Sequence, residues 1–190
     1  MARPRKFDEE RAVDAALEAF WTAGYEATST QDLCEATGLG RSSIYNTFHS
    51  KRDLFRRALS LYMERRTGEL TELLEGDLTA REKVRGIFER VVDEEVERGR
   101  GCFFVNTAVE LADRDAEVAH ALERDYRLRL DALTATLDAG RRSGDIDPAK
   151  DARALAHFVI ATVSGIRVSA RAGADRAVLE SVARTALAAI

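Results

Sequence analysis

The sequence predicts an all-α protein of about nine helices, in which a short N-terminal helix-turn-helix unit precedes a longer helical region. Three observations carry that expectation. Only two prolines occur, Pro4 and Pro148, while Ala, Leu, Glu and Arg, all good helix formers, are abundant. Apolar residues recur at three- and four-residue spacing and nowhere alternate as in a half-buried strand. Polar capping pairs recur just ahead of the apolar runs.

The first helix is expected to open near Asp8, with Glu9 and Glu10 in its electropositive first turn. Val13, Ala16, Leu17 and Phe20 give it one apolar face, and Gly24 stops it. Ser29 with Asp32 reads as a capping box for a second helix that turns Leu33 inward and ends at Gly38. A third runs from about Arg41 to Phe48, and Ser50 with Asp53 opens a fourth. That fourth helix carries Leu54, Phe55, Ala58, Leu59 and Tyr62 on one side. Thr79 and Glu82 cap a fifth, with Val84, Ile87, Phe88, Val91 and Val92 as its core face. Gly99 and Gly101 interrupt before "CFFVNTAVELA". A long helix then spans about Asp115 to Gly140, with Val118, Leu122, Tyr126, Leu130, Leu133 and Leu137 in register. Asp147 and Pro148 are expected to cap and start the next helix. It has two apolar sides, Leu155, Phe158, Val159, Thr162, Val163 and Ile166 on one and Ala154, Ala161, Gly165 and Val168 on the other, so both sides need cover. Val178, Leu179, Val182, Ala183, Ala186, Leu187 and Ile190 form a wide stripe on the last.

Hydrophobic residues at 45% and charged residues at 33% describe a globular chain rather than a disordered one. Cys34 and Cys102 are far apart with no ligand-spaced histidine, so neither a zinc site nor a disulfide framework is expected. No apolar run is long enough to cross a membrane, and "MARPRKFDEE" has no signal-peptide core; a cytoplasmic protein without membrane contact is expected. His49, His120 and His157 are scattered and no GxSxG, P-loop or HExxH occurs, so no catalytic residue, metal or cofactor is assigned.

The net charge of -4 is unevenly distributed. Residues 8 to 35 hold eight acids against Arg11, whereas residues 41 to 57 hold Arg41, Lys51, Arg52, Arg56 and Arg57 against Asp53. A basic patch therefore falls on the two short helices joined by "TGLG", the pattern of a helix-turn-helix. In that geometry the second helix enters the major groove, Ser42 and Ser43 face bases or phosphates, Ile44 and Phe48 are buried, and Tyr45 and Asn46 point outward. Lys51, in the first turn of the following helix, is placed to hold a phosphate. The competing account is an ordinary three-helix core with Tyr45 as packing and Lys51 as a solvated charge.

The stretch "GYEATSTQDLCEATGLGRSSIYNTFHSKRDLF", within a match running from Phe7 to about Tyr62, resembles the DNA-binding signature of TetR/AcrR-type transcriptional regulators. The resemblance implies a DNA-binding domain over 1–53 and an effector-binding and dimerisation domain over 54–190, acting as a sequence-specific regulator released by a small-molecule effector. Repression is the expected mode, with activation by the same fold the alternative. Thr30, Tyr45 and Lys51 would grip phosphates, and Arg41, Ser42, Ser43 and Asn46 would face the groove. Gly40 stands where a capping Ser or Thr is common and is expected to serve as a permissive turn residue. Arg3, Arg5 and Lys6, in an arm over 1–7, form either a minor-groove contact or a solubilising tail.

The resemblance also implies that the last two helices pair with a second copy. Ala154, Ala161, Gly165, Val168, Leu179, Val182 and Ala186 are the expected interface, and a homodimer would read a palindromic operator with heads roughly 34–36 Å apart or a multiple of that. The alternative is that the last helix folds over its own domain. For an effector, Phe88, Phe103, Phe104, Tyr126 and Phe158 offer apolar walls, and Asn106, Thr107, Glu110, His157 and Thr162 polar groups; core packing is the plainer role for each aromatic. Cys102, Asn106 and Glu110 share a helix face. The segment "GCFFVN" resembles one in a subset of these regulators with GC-x-x-VN at the start of the sixth helix. Cys102, beside Arg98 and Arg100, is read either as an electrophile- or redox-sensing thiol or as a small core residue.

Overall fold

The computed structural model describes the backbone from residue 5 and side chains from residue 9. Among the described residues it contains nine α-helices and no strand: α1 Arg5–Ala23, α2 Thr30–Thr37, α3 Arg41–Phe48, α4 Lys51–Glu75, α5 Ala80–Arg98, α6 Phe103–Leu111, α7 Ala116–Ser143, α8 Ala152–Arg171 and α9 Arg176–Ala188. α1 already includes Arg5, ahead of the cap expected at Asp8. The basic-arm residues Arg3, and the side chains of Arg5 and Lys6, lie outside the described residues.

The chain forms two compact units. The first contains the residues up to Arg65 together with Phe103–Leu122; the second contains Arg66–Cys102 and Glu123–Ile190. The first unit is thus discontinuous in sequence and takes in α6. Aromatic packing explains that assignment. Phe103, only 2% exposed, meets Phe55 at 5.7 Å, Tyr62 at 5.6 Å and Trp21 at 6.3 Å between ring centroids. Phe20 meets Phe55 edge-on at 5.1 Å. Such edge-to-face pairs place the positive ring edge on the negative face of the neighbour.

In the second unit α5, α8 and α9 pack on one another, and Val84, Phe88, Val92, Leu130, Leu133, Leu137, Ala156, Val159 and Ile166 are buried in its core. Gly140 permits a close approach there: a Cβ at this position would lie 2.5 Å from the Cβ of Ala80. Arg167, 7% exposed, donates to Glu94 at 3.1 Å and lies 3.9 Å from the buried Glu95, whose other oxygen accepts the Gly101 N–H at 3.1 Å. Charges this deep persist because each has an opposite charge or a hydrogen-bond partner.

The capping boxes at Ser29/Asp32 and Thr79/Glu82 are both formed. The start of α8 differs from the expectation. Asp147 accepts the Ala149 N–H within a turn, and the helix begins four residues later with Asp151 capping Ala154. Two Asp residues compete for the role, and Pro148 takes the turn instead of the first helical position. Among the described residues no helix is long and apolar enough to cross a membrane, and no cluster of His, Cys, Asp or Glu suited to a metal ion occurs.

Candidate nucleic-acid interface

The α2–α3 unit is organised by local chemistry. Ser29 accepts the Asp32 N–H at 3.1 Å while Asp32 accepts the Ser29 N–H at 2.7 Å. The Ser29 backbone bond is the main reason the Asp32 carboxyl lies below the usual carboxylate range. Gly38, at φ 68°, closes α2 in the left-handed region that glycine tolerates best. Gly40 does not behave as expected: its φ of -67° suits any residue, and nothing lies within 4 Å of a Cβ placed there. The first turn of α3 simply goes without a side-chain cap.

On α3, Ile44 and Phe48 are 1% exposed and fix the inner side. The outer side presents Arg41, Ser42, Ser43, Tyr45 and Asn46 to solvent. Tyr45 and Thr30 share a hydrogen bond at 3.3 Å, and the Arg41 guanidinium lies 5.8 Å above the Tyr45 ring. The hydrogen bond from Thr30, then that from Arg41, pulls the Tyr45 phenol below its ordinary range. Hydroxyl, phenol and guanidinium therefore converge on one spot, a donor set suited to a phosphate oxygen. Arg41, expected in the groove-facing set, is drawn toward this cluster.

Lys51 sits 4.4 Å above the ring of Tyr25 and makes a long 3.5 Å hydrogen bond to the Glu26 carbonyl. Its position depends on a very tight junction. His49 lies at φ 64° and ψ -42°, and the Ser50 N–H donates to Phe48 O at 2.7 Å, a three-residue γ-turn that a residue with a Cβ adopts under strain. Ser50 then accepts the Asp53 N–H at 3.0 Å and starts α4.

The basic patch is smaller than its sequence suggests. Arg52 grips Asp115 with two hydrogen bonds of 2.7 and 2.8 Å, Glu117 bridges Arg52 and Arg56 at 3.0 and 2.7 Å, and Arg57 lies 3.6 Å from Glu9. Neither Arg41 nor Lys51 is held by a carboxylate among the described residues. Sequence reading missed these pairings because the acids lie far away in the chain, 61 to 65 residues for Asp115 and Glu117.

The effector candidates lie in different surroundings. Phe103 belongs to the aromatic core of the first unit. Glu110 accepts the backbone N–H groups of Tyr25 at 3.0 Å and Glu26 at 2.8 Å, so its carboxylate is already engaged. Phe88 is 1% exposed within the second unit's core. Phe158 is 40% exposed on the outer stripe of α8. Tyr126 hydrogen-bonds His157 at 2.7 Å and Thr162 is half-buried. Cys102, Asn106 and Phe104 are half-buried, and the buried Thr107 hydroxyl makes no hydrogen bond among the described residues.

The candidate dimer residues divide in two. Ala154, Ala161, Gly165, Val168 and Val182 are exposed. Leu179 and Ala186 are 1% and 5% exposed within the second unit's core and are unavailable to a partner; Val178, one residue earlier, takes the outward position. A helical stripe wide enough to serve two neighbours left that division open in the sequence.

Residues 12–58 match the family of bacterial regulatory proteins, tetR family, and residues 80–186 match the tetracyclin repressor-like, C-terminal domain. The chain is 33% identical over 178 residues to the uncharacterized HTH-type transcriptional regulator YezE of Bacillus subtilis (strain 168), covering 92% of each protein. It is 31% identical over 188 residues to the HTH-type transcriptional repressor ComR of Escherichia coli (strain K12), covering 97% of this chain and 90% of ComR. Among solved structures, a cysteine-substituted variant of the TetR family transcriptional regulator CifR, complexed with 26-bp double-strand operator DNA, aligns with a TM-score of 0.87 at 30% identity over 99% of both chains. By both its halves and these relatives, the chain belongs to the tetR family of bacterial regulatory proteins.

Proposed function

We propose that this tetR-family transcriptional regulator is a homodimeric repressor that binds a palindromic operator through α3 and leaves it when a small-molecule effector binds. The observation that carries the reading is the outer side of α3. There Thr30, Tyr45 and Arg41 converge as donors, with Lys51 as a second cation and Ser42, Ser43 and Asn46 exposed between them. Thr30, Arg41, Tyr45 and Lys51 hold phosphates, and Ser42, Ser43 and Asn46 read base edges. The operator complex of CifR supports the same use of a similar chain.

In this reading residues 1–53 bind DNA and residues 54–190 bind effector and dimerise. Ala154, Phe158, Ala161, Gly165 and Val168 of α8 with Val178 and Val182 of α9 cover one another across the two-fold axis. The effector acts through its differential affinity for two arrangements of the dimer. Cys102, Tyr126 and Thr162, all of the second unit, remain its candidate contacts, and "GCFFVN" supports assignment to the subset with GC-x-x-VN before α6. The protein works in the cytoplasm and performs no catalysis.

Selection of duplexes from a random pool by the purified chain tests this directly. A palindrome preferred over random DNA by about 10³ or more at physiological salt is expected. Uniform, weak, salt-sensitive binding to every duplex would reject the reading.

A further inference from the structure

We propose that Glu110 is a positioning residue for DNA binding: its carboxylate fixes the Gly24–Glu26 turn, and through that turn the ammonium of Lys51. The inference rests on the DNA-binding reading above. All the groups involved lie in the first compact unit.

Gly24 ends α1 at φ 87°, and the next two N–H groups, of Tyr25 and Glu26, face the same side. Successive N–H groups after a left-handed residue form a concave anion site. Glu110 of α6 fills it, one oxygen accepting from Tyr25 at 3.0 Å and the other from Glu26 at 2.8 Å. The fit leaves no room at residue 24, since an added Cβ would lie 3.1 and 3.3 Å from the two carboxylate oxygens. Glycine is therefore required there twice, for the backbone and for the carboxylate.

The far side of this turn holds Lys51. Its ammonium meets the Glu26 carbonyl at 3.5 Å and the Tyr25 ring at 4.4 Å. The Tyr25 ring is itself fixed, 4.8 Å from Phe55 and 6.1 Å from Phe20. Both of the lysine's contacts are thus made by the two residues whose N–H groups Glu110 holds. Without the carboxylate the turn loses its tether to α6, and a flexible four-carbon side chain loses the surface that aims it. Orientation restricted before binding is retained as affinity.

The test uses the full chain, the duplex selected above, and the variants Glu110→Gln, Lys51→Ala and the double substitution. Glutamine preserves size and one acceptor but turns an NH₂ toward a backbone donor. Operator affinity is expected to fall by about tenfold in Glu110→Gln, with the salt slope reduced by up to about 0.9 per protomer, and the double variant should bind no more weakly than Lys51→Ala. A purely structural role would instead give losses that multiply. The DNA-free arm records the Lys51 Cε and Hε resonances, which the Tyr25 ring current displaces. Glu110→Gln should move them toward their random-coil positions and speed amide exchange at Tyr25 and Glu26. Unchanged Lys51 resonances, or multiplying losses, overturn the proposal. Absence of any selected duplex overturns the DNA-binding reading instead, and the Lys51 resonances then decide alone whether Glu110 positions it.

Discussion

Replacing Phe103 by Ala separates two roles for this residue, effector wall or core of the reading head. Phe103 is 2% exposed and contacts three aromatic rings at 5.6 to 6.3 Å. Truncating a buried Phe costs ~3–5 kcal/mol from lost transfer free energy and the cavity left behind. The edge-to-face contacts with Phe55 and Tyr62 keep the expectation off the lower end of that range, at ~4 kcal/mol. With a urea m-value of ~2–3 kcal/mol/M, the unfolding midpoint falls by ~1.3–2 M. Trp21 is the sole tryptophan and lies beside Phe103, so its emission reports on this packing. Wild type and variant are compared at equal protomer concentration, because dimerisation makes the midpoint concentration-dependent. A loss under ~1 kcal/mol with unchanged Trp21 emission would refute the packing argument and return Phe103 to the effector pocket.

Lys51→Ala should lower the salt slope of operator binding by about 0.9 per protomer, or ~1.8 for a dimer, and weaken all duplexes alike; an unchanged slope in a salt titration would remove Lys51 from the phosphate contacts. Gly40→Ser should stabilise the chain by about 0.3–0.8 kcal/mol in thermal unfolding, since its backbone is already extended and open to a capping hydroxyl. The Asp115 carboxyl lies below its ordinary value of 3.8, chiefly through its hydrogen bonds from Arg52. Its stabilisation is therefore complete above that value and lost as pH falls through the lowered one, so Asp115→Asn should be less stable than wild type near neutrality and converge with it in acid. Gly165→Glu adds a charge where nothing lies within 4 Å in the protomer, so it should leave the fold intact and yield monomers in sedimentation velocity; a persistent dimer would place the interface elsewhere.

The parts of this molecule legible in its sequence are those decided within a few residues. Ser29 with Asp32 and Thr79 with Glu82 announce their helices because each cap and its partner are three residues apart. Ile44 and Phe48 declare the inner side of α3, and so leave Tyr45 and Asn46 outside. What stayed hidden was decided across long separations. Glu110 looks like a pocket residue until Tyr25 and Glu26, 85 and 84 positions away, are found on its carboxylate. Arg52 and Arg56 count as DNA-binding charge until Asp115 and Glu117 neutralise them. Leu179 and Val178 are adjacent and similar in chemistry, yet one is 1% and the other 49% exposed, which helical periodicity alone could not apportion between core and partner.

The γ-turn at His49 leaves two residues between α3, the helix proposed to face bases, and α4, which supplies Lys51. A residue inserted here would break the closure from the Ser50 N–H to Phe48 O and shift the start of α4 relative to α3, carrying Lys51 away from Tyr25. On the proposed docking, a change of loop length at this joint would disturb the Lys51 phosphate contact before it altered base reading. New sequence preferences would then arise by exchanging Ser42, Ser43 or Asn46 on a mount of fixed dimensions, much as type is changed in a press whose bed does not move.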